Sequence, residues 1–321
     1  MDPRSAEVAA EFPPLIRVYK DGRAERLMPV DRVPPGVDAG TGVSSKDAIV
    51  SPETGVSVRL FLPPLADKGE DRLPIVLYVH GGAFCVGSAL SSIYHSFCNS
   101  LASVSRALIV SVEYRLAPEC PVPACYLDSW AALQWVARQG AEEPWLRDHG
   151  DLGRIVLAGD SAGATISHSL AMAAGGAAPF EPPSGEENLK VQISGLALIH
   201  PYFFGKNPGR DPLWELVYPT TPGTDDPLVN VVAAGGPEIS HLGCGRVLVF
   251  LAEKDFLIGR GRWYVEVLKG SGWGGAAEVV EHKDEGHVFH LMDPKCSNAD
   301  DILNRLSSFI NAPAAAAICR I

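Results

Sequence analysis

The chain has 321 residues, of which 46% are hydrophobic and 20% are charged, and its formal net charge at pH 7 is −11. This composition provides a large core and excludes a disordered chain, while the negative charge argues against a nucleic-acid surface, which needs clustered Lys and Arg. No apolar run is long enough for a membrane span, and the amino terminus lacks the features of a secretory signal. We therefore predict one domain over residues 1–321, located in the cytoplasm.

Seven cysteines are scattered along the sequence without the paired spacing of a zinc site or a disulfide scaffold. We expect reduced thiols, and we interpret Cys85 as a small packing residue. The glycine-rich segments lack the spacing of a P-loop or a dinucleotide fingerprint. The sequence therefore predicts neither a metal nor a cofactor.

The amino-terminal region predicts antiparallel strands. Residues 15–27 are typical of a hairpin, with Asp21-Gly22 at the tight turn, and a Pro-rich crossing covers residues 28–42. Residues 56–62 alternate as an antiparallel strand does, and two prolines end them. We expect residues 1–45 to form a cap-like segment and the antiparallel strands to extend one edge of the main sheet.

The rest of the chain alternates buried strands with helices. Continuous apolar runs, typical of strands buried on both faces, cover residues 75–79, 107–112, 155–158, 193–199 and 246–251. Helical patterns cover residues 91–103, 128–138, 162–173, 259–270 and 298–311. This order predicts an α/β fold with a mostly parallel central sheet flanked by helices on both faces. The alanine-rich end, residues 312–321, is expected to fray.

A Gly-Asp-Ser-Ala-Gly motif at residues 159–163 lies between an apolar strand and a helical run. A Gly-x-Ser-x-Gly turn at this position is typical of a nucleophile elbow, although such loops also occur by chance in α/β proteins. The turn would expose the hydroxyl of Ser161, and the N–H of Ala162 would face a carbonyl that the serine attacks. The motif predicts acyl transfer if a base, an acid and a second oxyanion donor are present.

A second group of oxyanion donors follows the first apolar run, where the sequence is His80-Gly81-Gly82-Ala83-Phe84. Adjacent glycines leave backbone N–H groups free to point at a ligand, although a Gly-Gly pair also forms ordinary turns. Together with Ser161, this pattern predicts that Gly81 and Gly82 donate hydrogen bonds to an oxyanion.

The acid and the base are expected after two later strands. Asp255 lies four residues after the end of the apolar run 246–251. We favour it as the orienting acid over Glu253, and over Asp225, Asp226 and Asp284, none of which ends a buried strand. Among His282, His287 and His290, we favour His287 as the base, because Gly286 permits a tight bend that brings it to the carboxyl edge of the sheet. The order serine, acid, histidine is that of α/β-hydrolases.

Two stretches have no clear secondary structure, residues 175–187 and residues 205–238, and either could cross the mouth of the site. Because aromatic residues of globular proteins are mostly buried, we assign most of those in this sequence to the core. Four of them are nevertheless predicted to line a substrate pocket: Tyr202, Phe203, Trp214 and Tyr218.

The sequence resembles the plant carboxylesterases of the hormone-sensitive-lipase-like group of α/β-hydrolases. The resemblance follows family order over nearly the whole chain, at residues 15–22, 80–84, 114–119, 159–163, 200–203, 252–255 and 286–290. It implies that Ser161, Asp255 and His287 form a triad that hydrolyses a small-molecule ester, and that the protein is a monomer or a homodimer.

The same family resemblance includes proteins with other functions. Gibberellin receptors keep the fold but lack the histidine, whereas this chain has His287. Some 2-hydroxyisoflavanone dehydratases have threonine at the nucleophile position, whereas this chain has Ser161. These residues favour hydrolysis over hormone binding, and they leave open a dehydratase-like lyase or the acyl transfer of tuliposide-converting enzymes.

Overall fold

The computed structural model describes residues 7–28, 31–65, 72–139, 142–183 and 189–313. Most of the tail that we predicted to fray, residues 314–321, lies outside the described residues. A small antiparallel sheet comes first, with the strands β1 (Val8–Phe12), β2 (Ile16–Tyr19) and β3 (Ala24–Arg26). The pairing of Ile16 with Arg26 confirms the predicted hairpin, and β1 is an additional strand that we did not predict.

The main sheet has eight strands in the spatial order β11-β10-β9-β8-β6-β7-β5-β4. These strands are β4 (Ser44–Ser51), β5 (Val56–Leu62), β6 (Leu73–Val79), β7 (Leu108–Glu113), β8 (Gly150–Asp160), β9 (Ile193–Ile199), β10 (Arg246–Ala252) and β11 (Ala276–His282). All pairs from β11 to β7 are parallel, and β5 pairs antiparallel with both β4 and β7. The predicted sheet, including its antiparallel edge, is confirmed.

In the described residues, eight α-helices connect or follow the strands. They are α1 (Ser92–Ser105), α2 (Ala124–Gln139), α3 (Pro144–His149), α4 (Ala162–Ala174), α5 (Pro212–Val217), α6 (Ile258–Gly270), α7 (Phe289–Met292) and α8 (Ser297–Asn311). The five helices that we predicted are present. The three that we missed, α3, α5 and α7, have four to six residues, too few for a helical period to be recognised. The described residues contain no helix that is both long and apolar enough to span a bilayer.

Two apolar clusters cover the two faces of the main sheet. In β6, Ile75 and Leu77 belong to one cluster, whereas Val76 and Tyr78 belong to the other. This alternation explains why the strand sequence is apolar at every position, since both faces are buried. Because five neighbouring pairs are parallel, the loops after β6, β8, β10 and β11 meet at one edge, where ligands bind in open α/β sheets.

Candidate active site

Ser161 occupies a sharp turn between β8 and α4. Its backbone angles are φ 51° and ψ −118°, a conformation that non-glycine residues rarely adopt. The glycines on either side of the motif are required by crowding, since a Cβ on Gly159 or on Gly163 would collide with the backbone oxygen of Val79. The local sequence therefore forces the serine into a strained position at the start of a helix, as predicted for a nucleophile elbow.

A continuous hydrogen-bonded chain links Ser161, His287 and Asp255. The distance from His287 Nε2 to Ser161 Oγ is 3.0 Å, and the distance from His287 Nδ1 to Asp255 Oδ2 is 2.8 Å. Both distances are within hydrogen-bond range. The structure therefore brings together the three residues that we predicted, although they are far apart in sequence.

The carboxylate of Asp255 is buried and held in place. Its second oxygen, Oδ1, accepts the N–H of Leu257 at 2.8 Å, and the residue is only 4% exposed. His287 remains partly accessible, with 22% of its side chain exposed. The acid is therefore shielded from water, whereas the imidazole can reach a substrate.

Asp160, just before the serine, connects the elbow to the loop after β6. Its Oδ1 accepts Tyr78 Oη at 2.8 Å and the N–H of Gly81 at 3.1 Å, and its Oδ2 accepts Tyr94 Oη at 2.9 Å. Burial raises the pKa of Asp160 to about 6, and the two tyrosine hydrogen bonds oppose part of that rise. The side chain thus joins two segments that are 79 positions apart.

The hydrogen bonds of Gly81 correct one prediction. Its N–H donates to Tyr94 Oη at 2.9 Å as well as to Asp160, so it faces away from a substrate carbonyl. In the described part of the chain, the N–H groups of Gly82, Ala83 and Ala162 have no protein acceptor. Gly82 and Ala83 also line the cavity around Ser161, with φ values of 105° and 52°. The available donors are therefore Gly82, Ala83 and Ala162.

Tyr114 supports the loop after β6 from behind. Its hydroxyl donates to the carbonyl of His80 at 2.9 Å, and its ring stacks on the His80 ring with centroids 4.1 Å apart. The next residue, Arg115, pairs through its guanidinium with Asp128 at 2.7 Å. Tyr114 therefore fixes the peptide units that precede the available N–H groups.

His200 lies next to His287 in a buried position. Its Nδ1 accepts the N–H of Val288 at 3.0 Å, and burial lowers its pKa well below the usual value, so the ring is neutral. Nitrogen and oxygen atoms of His200, Asp255 and His287 lie within 4.8 Å of one another, close enough for a metal ion. A metal here would have to break the Asp255–His287 hydrogen bond, so the donor set fits a hydrogen-bonded relay better than a metal site.

A cavity of about 460 Å³ opens over Ser161 and His287. Its wall is mainly apolar, and residues far apart in the chain contribute to it. They include Pro13, Pro14, Leu15, Met28, Val86, Ile93, Tyr202, Leu213, Phe256, Leu291 and Met292. A small organic molecule with a carbonyl group could reach the serine there.

A sequence profile described as alpha/beta hydrolase fold matches residues 76–291, about two thirds of the chain. The chain belongs to the alpha/beta hydrolase family. Among solved structures, this alpha/beta hydrolase is similar to a hyperthermophilic esterase from the archaeon Pyrobaculum calidifontis, with a TM-score of 0.64, 28% identity and 84% of each chain covered. The fold class predicted from the sequence is thus confirmed.

Curated plant proteins resemble the hydrolase over almost its full length. A protein named 2-hydroxyisoflavanone dehydratase from Glycyrrhiza echinata is 41% identical, with 95% of this chain and 97% of that protein covered. Probable carboxylesterase 13 from Arabidopsis thaliana is 43% identical, with coverages of 95% and 98%. Tuliposide A-converting enzyme 2, chloroplastic, from Tulipa gesneriana is 41% identical, with coverages of 95% and 79%. The resemblance that we identified from motifs is confirmed.

Only one of the four predicted pocket aromatics, Tyr202, lines the cavity of the hydrolase. Phe203 instead stacks on Tyr264 in the core, with ring centroids 4.5 Å apart. Trp214 is 1% exposed and donates its indole N–H to Thr221, and Tyr218 packs edge-on against that indole. These three aromatics support the wall from behind, which corrects our prediction.

Sequence reasoning missed most of the residues that do line the cavity. Phe256 follows Asp255 directly, is 76% exposed, and places its ring 5.1 Å from the His287 ring. An exposed phenylalanine next to a predicted catalytic acid is a signal that could have identified it. The prolines at positions 13 and 14 gave no such signal, since they approach Ser161 only through the tertiary fold.

Proposed function

We propose that this chain is a serine carboxylesterase that hydrolyses small carboxylic esters through an acyl-enzyme on Ser161. The observation that carries the proposal is the unbroken chain Ser161, His287, Asp255, which opens into an apolar cavity beside unpaired N–H groups. Carboxylesterases and esterases among the similar proteins support the same reaction. The geometry thus contains each group that acyl transfer requires.

The tautomer of His287 follows from its partners. The carboxylate of Asp255 accepts a proton-bearing nitrogen, so Nδ1 carries the hydrogen and Nε2 is the basic nitrogen that faces Ser161. Nε2 takes the serine proton while Oγ bonds to the ester carbonyl carbon. The imidazolium that forms is stabilised by the buried carboxylate beside it.

The tetrahedral intermediate then collapses to the acyl-enzyme. Its negative oxygen accepts hydrogen bonds from the N–H groups of Gly82, Ala83 and Ala162, which do not have to release other partners first. His287 gives its proton to the leaving oxygen, and the alcohol departs. In the second half, His287 takes a proton from water, whose oxygen attacks the acyl carbon. The bond from that carbon to Ser161 Oγ then breaks, Oγ takes the proton from His287, and the acid leaves.

A matched pair of serine substitutions tests this proposal. Ser161→Ala should abolish labelling by a fluorophosphonate and lower the turnover of p-nitrophenyl acetate about a millionfold. Ser169→Ala, in the same helix, removes a buried hydroxyl without a protein partner and should keep both labelling and turnover. Turnover that persists in Ser161→Ala would overturn the nucleophile assignment.

A dehydratase-like elimination is a second candidate, and the similarity to 2-hydroxyisoflavanone dehydratase favours it. In that reaction His287 would remove a proton beside a carbonyl, while the N–H groups stabilise the enolate oxygen. His287 would then return the proton to the departing hydroxyl group, which leaves as water. Ser161 would not form a bond. Isoflavone formation from a 2-hydroxyisoflavanone, followed by absorbance, would therefore persist in Ser161→Ala if this reaction is the main one.

We also propose a role for the amino-terminal segment, a location in the cell and an oligomeric state. Residues 1–45 are proposed to act as a cap of one domain, which the contribution of Pro13, Pro14 and Met28 to the cavity wall supports. We propose the cytoplasm as the location and a monomer or a homodimer as the assembly. Imaging of a fluorescent fusion and light scattering of the purified protein test these two proposals.

A further inference from the structure

A second cavity, of about 240 Å³, lies among α1, α7 and α8. We call it the accessory pocket, defined by Ser92, Ser96 and Ser100 of α1, by His290 and by the apolar residues around them. The three serines recur every fourth residue, so their side chains share one face of α1. The accessory pocket is not part of the reaction described above.

His290 is the unusual group in this pocket. The residue is 2% exposed, and neither of its ring nitrogens has a hydrogen-bond partner among the described residues. Burial and two neighbouring histidines, His287 and His282, lower its pKa to about 3, so the ring is neutral. A buried ring without partners costs free energy unless a ligand supplies them.

Ile93 and Leu291 line both the accessory pocket and the cavity over Ser161 and His287, which we call the catalytic cavity. These two residues therefore form the partition between the two cavities. Ile93 is exposed, so its side chain can change rotamer without a loss of core packing. Leu291 is four residues after His287, on the helix that follows it. The partition is therefore on the histidine side of Ser161.

The side of the partition identifies which part of a substrate would cross it. His287 must donate a proton to the leaving oxygen, so the alcohol portion of an ester lies next to His287. The acyl portion stays on Ser161 and is held by the N–H groups of Gly82 and Ala83. A long alcohol portion therefore extends toward Ile93 and Leu291.

We propose that the accessory pocket binds the far end of the leaving alcohol, and that the preferred substrates are esters of alcohols that carry a second, uncharged hydroxyl group. A hydroxyl donates to the bare nitrogen or accepts from the N–H of a neutral imidazole, so one hydroxyl supplies a partner for one of the two unpartnered ring nitrogens of His290. The pocket has no charged side chain in its lining, so a carboxylate or an ammonium group would lose its hydration without a counter-charge. This inference rests on the proposed esterase function.

Paired acetate esters test the inference. One series contains acetates of linear primary alcohols, and the other contains the monoacetates of the α,ω-diols of equal length, from two to ten carbons. We expect kcat/KM for the diol ester to exceed that for the plain ester by about tenfold over a narrow range of lengths, the effect of one buried hydrogen bond. A ratio near one at every length would overturn the proposal.

Three variants locate the effect. His290→Phe removes both ring nitrogens, and Ser100→Leu fills the pocket from α1, so each should bring the ratio of diol to plain ester close to one. Ser103→Leu makes the same change in α1 outside both cavities and should keep the ratio of the unmodified protein. A preference that survives Ser100→Leu would also overturn the proposal, even if His290→Phe does not fold.

The same measurements separate this inference from the proposed function. Hydrolysis of p-nitrophenyl acetate without any preference for diol esters would leave the esterase standing and reject the accessory pocket. A protein that hydrolyses none of the esters, with no fluorophosphonate labelling of Ser161, would reject the proposed function itself.

Discussion

The carboxyl edge of the sheet and the wall of the catalytic cavity are built in different ways. At the edge, Ser161 follows β8 directly, and Asp255 and His287 lie in the loops that follow β10 and β11. Short hydrogen bonds hold all three side chains in place. The wall combines the amino-terminal segment, the loop after β6 and single residues such as Leu213 and Phe256, and its surface is mainly apolar. Each edge residue is thus held through specific atoms, whereas the wall presents mainly apolar surface to a substrate.

This difference has consequences for substitution. An edge residue acts through one or two atoms at a defined distance, so its replacement should change the rate by orders of magnitude. A wall residue acts through volume, and neighbouring side chains can partly compensate. The four predictions below test that contrast, from the largest expected effect to the smallest.

Asp255→Asn should lower kcat for p-nitrophenyl acetate about ten-thousandfold, because an amide would favour the wrong tautomer of His287. Glu253→Gln is two residues earlier, and the only partner of its side chain among the described residues is the N–H of Asp284, so this variant should lose less than about twofold. Steady-state kinetics of the two variants measure the contrast. Similar losses in both would show that the edge does not act through one specific carboxylate.

Asp160→Asn should change how stability depends on pH. The unfolded chain ionises this carboxyl near its ordinary pKa of 3.8, whereas the folded protein does so near a pKa of about 6. Between these values only the unfolded state releases the proton, so rising pH favours unfolding, by about 3 kcal/mol in total. Asparagine does not titrate, so the stability of the unmodified protein relative to the variant should fall between pH 4 and pH 7.

Urea unfolding at several pH values checks this expectation. Asp21→Asn, at the exposed hairpin turn, provides a control that should keep the original pH dependence. A difference between the Asp160 variant and the unmodified protein that does not vary with pH would contradict the assigned direction. The result would show whether the buried carboxylate of Asp160, which joins segments at the edge of the sheet, lowers the free energy of unfolding.

Leu213→Trp should narrow the cavity from α5. The larger side chain should lower kcat/KM for p-nitrophenyl octanoate about tenfold relative to the acetate, because the longer ester needs the volume that the indole occupies. Leu216→Trp makes the same change in α5 but does not line the cavity, so its ratio should stay close to that of the unmodified protein. Equal ratios of octanoate to acetate kcat/KM in both variants would show that Leu213 does not limit the space for the substrate.

Arg26→Met should loosen the connection between the small sheet and the main domain. Arg26 Nε donates to the carbonyl of Cys85 at 2.9 Å, and its guanidinium pairs with Glu119 at 2.7 Å. Because this ion pair is partly exposed, we expect only about a threefold rise in KM, with little change in kcat. Arg17→Met is the control, since the partners of Arg17, Glu11 and Glu25, lie on the small sheet itself.

The sequence predicted the edge well because its signals are local. Ser161 and Asp255 follow apolar runs, and glycines mark the turns at Ser161 and His287. Gly81 was assigned wrongly as a donor because residue types do not reveal which way a peptide N–H points. The hydrogen bonds to Asp160 and Tyr94, which are distant in sequence, determine that direction.

The wall was predicted poorly because its residues meet only in the folded protein. We expected Trp214 in the cavity, but its neighbour Leu213 lines it, and successive helical residues point about 100° apart. An error of one residue in the predicted position therefore exchanges a side chain that lines the cavity for one that is buried in the core. The stretch over residues 205–238 was one of two that we expected could cross the mouth of the site, and Leu213 is its only described member in the wall.

The side chain of Asp160 limits how this protein can be recombined with its relatives. It joins the serine turn to Gly81 and requires the hydroxyls of Tyr78 and Tyr94 in the first half of the chain. A chimera with a crossover between β7 and β8 inherits the aspartate from one parent and both tyrosines from the other. Such a chimera keeps a working geometry only when both parents contain the complete set, so these residues must be exchanged as one unit.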